Sequence, residues 1–286
     1  MIPREFITAW RSRVPWALDE QVEQDLVISR ALVEIFSDGG LAEGLAFRGG
    51  TALHKVVFAK PLRYSEDIDL VRTGAGPAGD IIDALRAKLD PWLGKPKRER
   101  KDASVKLIYR FESEIPPVVP LRLKVEINTR EHAALLPRTR TPFEVESGWF
   151  RGHADVNTFA LPELLGTKLR ALYQRKKGRD LFDMDAALRM LDEEQDSEIV
   201  RCFLDYLGRG GLKVSRAEFE ENLHDKRGDA AFGEDIRPLL AHGVTFDRAH
   251  AFDTILSRLV ARLPGEPWQP APPTGAKERT RSRRSE

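Results

Sequence analysis

Gly49-Gly50-Thr51-Ala52-Leu53-His54-Lys55, followed by Arg63-Tyr64-Ser65-Glu66-Asp67-Ile68-Asp69-Leu70, decides how this chain is read. Two glycines and a hydroxyl open a predicted helix over residues 51–58. Pro61 ends it, and a strand is predicted over residues 67–71. Side chains two apart on a strand share a face, so Asp67 and Asp69 can chelate together while Ile68 turns to the core. Hard oxygen donors beside a glycine turn suit Mg²⁺-assisted chemistry on a nucleoside triphosphate. Glycine lets phosphate oxygens approach the backbone, and the first N–H groups of the following helix point outward as donors. Gly49, Gly50 and Thr51 are therefore candidate phosphate-holding residues. Either half alone is weak: Gly-Gly-Thr often marks only a tight turn, and Asp-x-Asp pairs are common on surfaces.

Working outward, the apolar spacing predicts a helix over residues 16–38 and a short strand at residues 45–48. Residues 80–93 read as a helix. Strands are predicted over residues 104–111 and 121–127, with a last short one at 156–161. The segment 95–102 reads as a basic connector. On the strand at 121–127, Arg122, Lys124 and Glu126 share a face. Glu126 is a candidate third metal ligand with Asp67 and Asp69, provided its strand lies beside theirs. After Pro162 the pattern becomes helical through residue 263. Lys168 and Arg175 lie on a predicted basic helix there, suited to triphosphate or an RNA backbone, and Asp180 is a candidate cap or anchor for one of these cations. A division into 1–160, 161–264 and a basic, disordered tail over 265–286 is expected.

The 286 residues are 41% hydrophobic and 32% charged with a net charge of +1, so any nucleic-acid binding rests on local patches. The single cysteine, Cys202, excludes an intrachain disulfide, and its apolar setting predicts a core thiol. The six histidines show no zinc spacing. No signal peptide or membrane span is evident, which makes a cytoplasmic location the expectation.

Taken together, these motifs resemble those of the AbiEii/AbiGii-type nucleotidyltransferase toxins, which include the MenT-type toxins. The resemblance rests on the Gly49–Lys55 turn and on Arg63-Tyr64-Ser65-Glu66-Asp67-Ile68-Asp69. Lys168-Leu169-Arg170-Ala171-Leu172 and Arg179-Asp180-Leu181-Phe182-Asp183 extend it, in order, over residues 45–190. It implies an α/β (α+β) fold: a polymerase-β-like nucleotidyltransferase core with a mixed sheet, then a helical C-terminal part. It also implies a toxin neutralised by a cognate antitoxin, with an NTP as co-substrate and Mg²⁺ as cofactor. Some members of the family transfer nucleotides to the 3′ end of tRNA, so tRNA is the implied acceptor and blocked translation the implied outcome. On this likeness Asp67 and Asp69 bind metal and are catalytic together with Lys168 and Asp180, of which Asp180 supports the site. Gly49, Gly50, Thr51, Lys55, Ser65 and Lys168 hold the nucleotide. Two rivals remain: a nucleotidyltransferase acting on a protein or small molecule, and a nucleotide-binding module without turnover.

Overall fold

A computed structural model describes residues 2–270; most of the expected basic tail, from residue 271 on, lies outside the described residues. In chain order, helices α1 (Arg4–Trp10), α2 (Asp19–Phe36) and α3 (Gly39–Gly44) lead to strand β1 (Leu45–Arg48). The short helix α4 (Gly49–Ala52) widens into a looser turn over Leu53–Val57 before β2 (Asp67–Arg72). Helix α5 (Gly79–Leu93) precedes β3 (Lys97–Lys101), β4 (Ser104–Glu112), β5 (Pro120–Asn128), β6 (Thr139–Glu146) and β7 (Arg151–Thr158). Five helices follow: α6 (Leu161–Gln174), α7 (Gly178–Leu188), α8 (Asp196–Arg209), α9 (Arg216–Gly228) and α10 (Arg248–Arg258).

The strands form one mixed sheet in the order β3-β4-β5-β2-β1-β7-β6. β2 lies parallel to β5 and antiparallel to β1, and β1 lies parallel to β7. The expected mixed sheet followed by helices is what the chain forms. Alternation sorts its side chains. Phe47, Ile68, Leu70, Leu107, Val125 and Ile127 point to one face, where α2 and α5 bury them. Ala46 and Val71 point to the other, into a second apolar cluster built by α6 to α10. That second cluster leaves the outward face of β3, β4 and β5 uncovered. Lys106, Ile108, Arg110, Arg122, Lys124 and Glu126 are all at least partly exposed there.

Three strands differ from the sequence expectation. The connector at 95–102 holds β3, an edge strand charged on both faces and so without apolar alternation. β6 is the opposite edge, largely polar and interrupted by Pro142, which an edge strand tolerates. β7 starts five residues before the expected strand, through Arg151-Gly152-His153. Cys202 is buried as expected. It packs on Gly166, where an added Cβ would lie 2.6 Å from the Cys202 Cβ, so α6 and α8 cross in close contact. That crossing fixes α6, which carries Lys168. No helix among the described residues is long and apolar enough to cross a membrane.

Candidate active site

Asp67 and Asp69 project from β2 toward the helical side of the sheet, while Ile68 between them is fully buried on the other face. The parallel register sets Asp67 opposite Lys124 and Asp69 opposite Glu126 on β5; Arg48 of β1 stands opposite Asp69 on its other flank. The carboxylates thus meet by strand geometry, and Glu126 lies on the neighbouring strand as its candidacy required. Burial, and then the charge of Asp67, push the Asp69 carboxyl above its ordinary value. That is the mark of acids crowded together where a cation would relieve them.

Gly49 makes this crowding possible. Its φ of +84° is in the region that favours glycine, and an added Cβ would meet the Asp69 Oδ2 at 2.4 Å. Gly50 is required for a different reason. The Arg63 guanidinium lies against it, with Nη2 2.3 Å from the place of a Cβ. Thr51 is buried and its hydroxyl shares a 2.8 Å hydrogen bond with that of Ser65, joining the glycine turn to the segment before β2. Ser65 and Gly50 line the cleft.

Two connected hollows of about 250 Å³ each flank the acids. They share Gly50, Asp69, Glu126, Lys168 and Arg175. One extends over Ser65, Asp67, Lys124 and Arg179; the other extends over Arg48, Asn128, Thr167 and Arg170. Their floor on the helical side is a buried charge network. Asp183 on α7 accepts two 2.7 Å bonds from Arg63 and an ion pair of 2.8 Å from Lys168. His54 Nε2 lies 3.1 Å away, and its Nδ1 accepts from the Leu62 N–H, so the ring is neutral with the proton on Nε2. Burial, the first cause, pushes His54 down in agreement. Against the upward push of burial, Arg63 and Lys168 hold Asp183 well below the usual carboxylate range. Asp180 accepts from Arg175 at 2.6 and 2.8 Å and from Lys168 at 3.3 Å. It thus anchors these cations rather than capping a helix.

The structure does not bring Lys55 to this cleft. Its ammonium donates to Asp25 at 2.7 Å and to Ser29 at 2.9 Å, under α2, where Asp25 also accepts from the indoles of Trp10 and Trp16. The loose turn at Leu53–Val57 rotates Lys55 to that side. Glu126 faces the cleft but is held by Lys106 at 3.1 Å and Lys124 at 3.5 Å. Against burial, Lys106 in particular keeps it below its usual value. Among the described residues no three or more acidic, histidine or cysteine side chains already form a metal-holding group. Asp67 and Asp69 nevertheless fit a divalent cation, because both are hard donors, Asp69 is crowded, and Gly49 leaves space for its carboxylate.

Sequence reasoning missed Arg63, Lys124, Asp183 and Arg179. Arg63 and Asp183 stood inside the quoted motifs, and Lys124 shares its face with Glu126. Arg179 lines the cleft with no ion pair among the described residues. Glu131 bridges Arg48 at 2.6 Å and Arg170 at 2.7 Å, linking sheet to α6. Against burial, the two arginines bring its carboxyl down to about 2.

Residues 30–258 match the model of a family described as the AbiEii nucleotidyl transferase toxin of type IV toxin–antitoxin systems. No curated protein sequence gives a significant match. Among solved structures, MenT4, a nucleotidyltransferase toxin of Mycobacterium tuberculosis H37Rv, superposes with a TM-score of 0.61 at 18% identity, covering 92% of this chain and 91% of its own. A protein of H. pylori described as a nucleotidyltransferase gives a TM-score of 0.55 at 16% identity, covering 84% of this chain and 93% of its own. At such identities the likeness is one of fold.

Proposed function

We propose that this chain, which belongs to the AbiEii family of nucleotidyl transferase toxins of type IV toxin–antitoxin systems, transfers a nucleotide from an NTP to the 3′ end of tRNA and thereby blocks translation. The observation that carries the reading is the meeting of Asp67 and Asp69 with the Gly49-Gly50 turn in a cleft walled by Lys168, Arg175 and Arg179. Such a cleft holds a polyanion on one side and a cation on the other.

In this reading Gly50 and Ser65 receive phosphate oxygens, and Lys168 and Arg179 neutralise them. Asp180 and Asp183 keep Lys168 aimed, and Arg63 locks the turn against the segment that carries Ser65. Mg²⁺ held by Asp67 and Asp69 would supply charge neutralisation at the α-phosphate and acidify the attacking hydroxyl. The hydroxyl oxygen bonds to the α-phosphorus as the bond to pyrophosphate breaks, and the hydroxyl proton is released to water.

The choice of RNA as acceptor is supported by the uncovered sheet face. The registers Lys97–Ile108–Lys124–Asp67 and Glu99–Lys106–Glu126–Asp69 run in rows from the edge strand to the acids. Lys97, Lys101, Lys106, Arg110 and Arg122 share that face with Asp67, against Glu99, Glu112 and Glu126. A phosphodiester strand laid on it would have its end at the carboxylates. The family supports an antitoxin as partner; the cytoplasm, where tRNA is found, is the compartment in this proposal.

The test is to incubate the purified protein, Mg²⁺ and total tRNA with each α-labelled NTP, beside an Asp67→Ala/Asp69→Ala control. Label on tRNA with wild type alone is the expected result. Label on protein or on a small molecule instead moves the acceptor. No label anywhere, with the NTP bound, makes the chain a binding module.

A further inference from the structure

Lys124 occupies a position that a cation-holding centre does not need. Its ammonium lies 2.8 Å from Asp67 Oδ2 and 3.5 Å from Glu126 Oε2. Lys106, in the next strand, lies 3.1 Å from the same Glu126 oxygen. The strand register enforces both contacts, since Lys124 stands opposite Asp67, and Glu126 stands between Lys106 and Asp69. Both lysines are largely shielded, with side chains 23% and 20% exposed, so water screens them only in part. Three carboxylates and two ammonium groups leave a single net negative charge. Arg48, across from Asp69, is engaged by Glu131. A free divalent ion approaching Asp67 and Asp69 therefore meets little attraction, and it must displace a hydrogen-bonded ammonium and then sit beside it.

We propose that Lys124 is a tethered cation that keeps free divalent metal off Asp67 and Asp69, so that the metal enters together with the triphosphate and not ahead of it. This rests on the reading that Asp67 and Asp69 hold the metal. The triphosphate adds the further negative charge that draws the metal in. With it present, Lys124 retains Glu126 as a partner when it gives up Asp67. Lys124 thus sets what is loaded: a metal–NTP complex, with metal alone disfavoured.

The test reads metal affinity, not turnover. Mn²⁺ binding to the full chain is followed by electron paramagnetic resonance, with and without the α,β-methylene triphosphates of the four ribonucleosides. Wild type is expected to bind Mn²⁺ weakly alone and at least about tenfold more tightly with the nucleotide it accepts. Lys124→Met is expected to bind Mn²⁺ alone at least about tenfold more tightly than wild type, because a unit charge within a few ångströms is removed. Lys124→Arg, which keeps the charge, should restore weak binding. Unchanged affinity in Lys124→Met overturns the proposal. So does submicromolar Mn²⁺ binding by nucleotide-free wild type, a result that needs no variant to fold. Adding Asp67→Asn and Asp69→Asn to Lys124→Met should abolish the gained binding; its survival overturns the location of the metal, and with it the ground of the proposal.

Discussion

Two groups of carboxylates face each other across the cleft, and they are built in opposite ways. On α7, Asp180 and Asp183 are fully buried, and their oxygens accept from Arg63, Arg175, Lys168 and His54. On the sheet, Asp67 and Asp69 sit near each other with Lys124 as their only close counter-ion among the described residues, and Asp69 is pushed up by its surroundings. The first group is satisfied by the chain itself and serves as a foundation. The second is left short of positive charge, which costs stability and is worth keeping only if something else supplies the charge. Burial alone does not separate structure from function here; completeness of neutralisation does.

The sharpest way to break this contrast is to substitute both kinds of carboxylate. Asp69→Asn and Asp67→Asn should each lower nucleotidyl transfer about a thousandfold or more, since several kcal/mol of charge stabilisation is lost. The fold should stay intact. Because the Asp69 pKa is raised in the fold, its contribution to stability declines as pH rises from the ordinary carboxylate value through the folded one. Asp69→Asn should therefore melt at the same temperature as wild type or higher at neutral pH, by calorimetry. A large drop in melting temperature would erase the distinction.

Asp183→Ala should do the reverse. It strands Arg63 and Lys168, at a cost of about 3–5 kcal/mol in urea unfolding. The Asp183 contribution is fully present above the ordinary carboxylate pKa and is lost as pH falls through its depressed folded value. A stable but inactive Asp183→Ala protein would mean that the two groups are alike.

Lys55→Met sharpens the contrast by asking where a further acid, Asp25, belongs. It should lower stability by about 1–3 kcal/mol through lost charged hydrogen bonds, and leave the KM for NTP within about twofold of wild type. A KM raised with stability unchanged would return Lys55 to the nucleotide. The smallest effect is expected from Lys97→Glu/Lys101→Glu, on the open edge strand. These should raise the KM for tRNA several-fold at low salt, and flatten its salt dependence, with the KM for NTP untouched.

Much of this site could be read from residues alone because strands obey a strict period. Asp67, Ile68 and Asp69 announce their faces, and so do Lys124, Val125 and Glu126. Gly49 and Gly50 announce a close approach, though not that Asp69 and Arg63 are what approaches. What stayed hidden depends on contacts between distant segments. Nothing local tells that Arg63 reaches Asp183, 120 residues on, or that Lys124 would sit on Asp67. Lys55 misled because its motif neighbours do reach the cleft, and only the loosened turn carries it away. β3 was hidden because charge on both faces mimics a solvated connector.

One small contact sets an order of events. The Tyr64 N–H donates to the Leu239 carbonyl at 2.7 Å and the Ala241 N–H to that of Leu62 at 3.0 Å, around a bridge between Arg63 and Leu240. The segment that carries Arg63 and Ser65 is thereby stitched to a piece of chain made some 175 residues later. Synthesis runs from the N-terminus at about 5–20 residues per second. For many seconds a nascent chain holds the acids, the glycines and the sheet without the stitch that sets them. A ribosome making this protein therefore carries an unfinished cleft until the segment around Leu240 has been made, and the working arrangement comes into being only then.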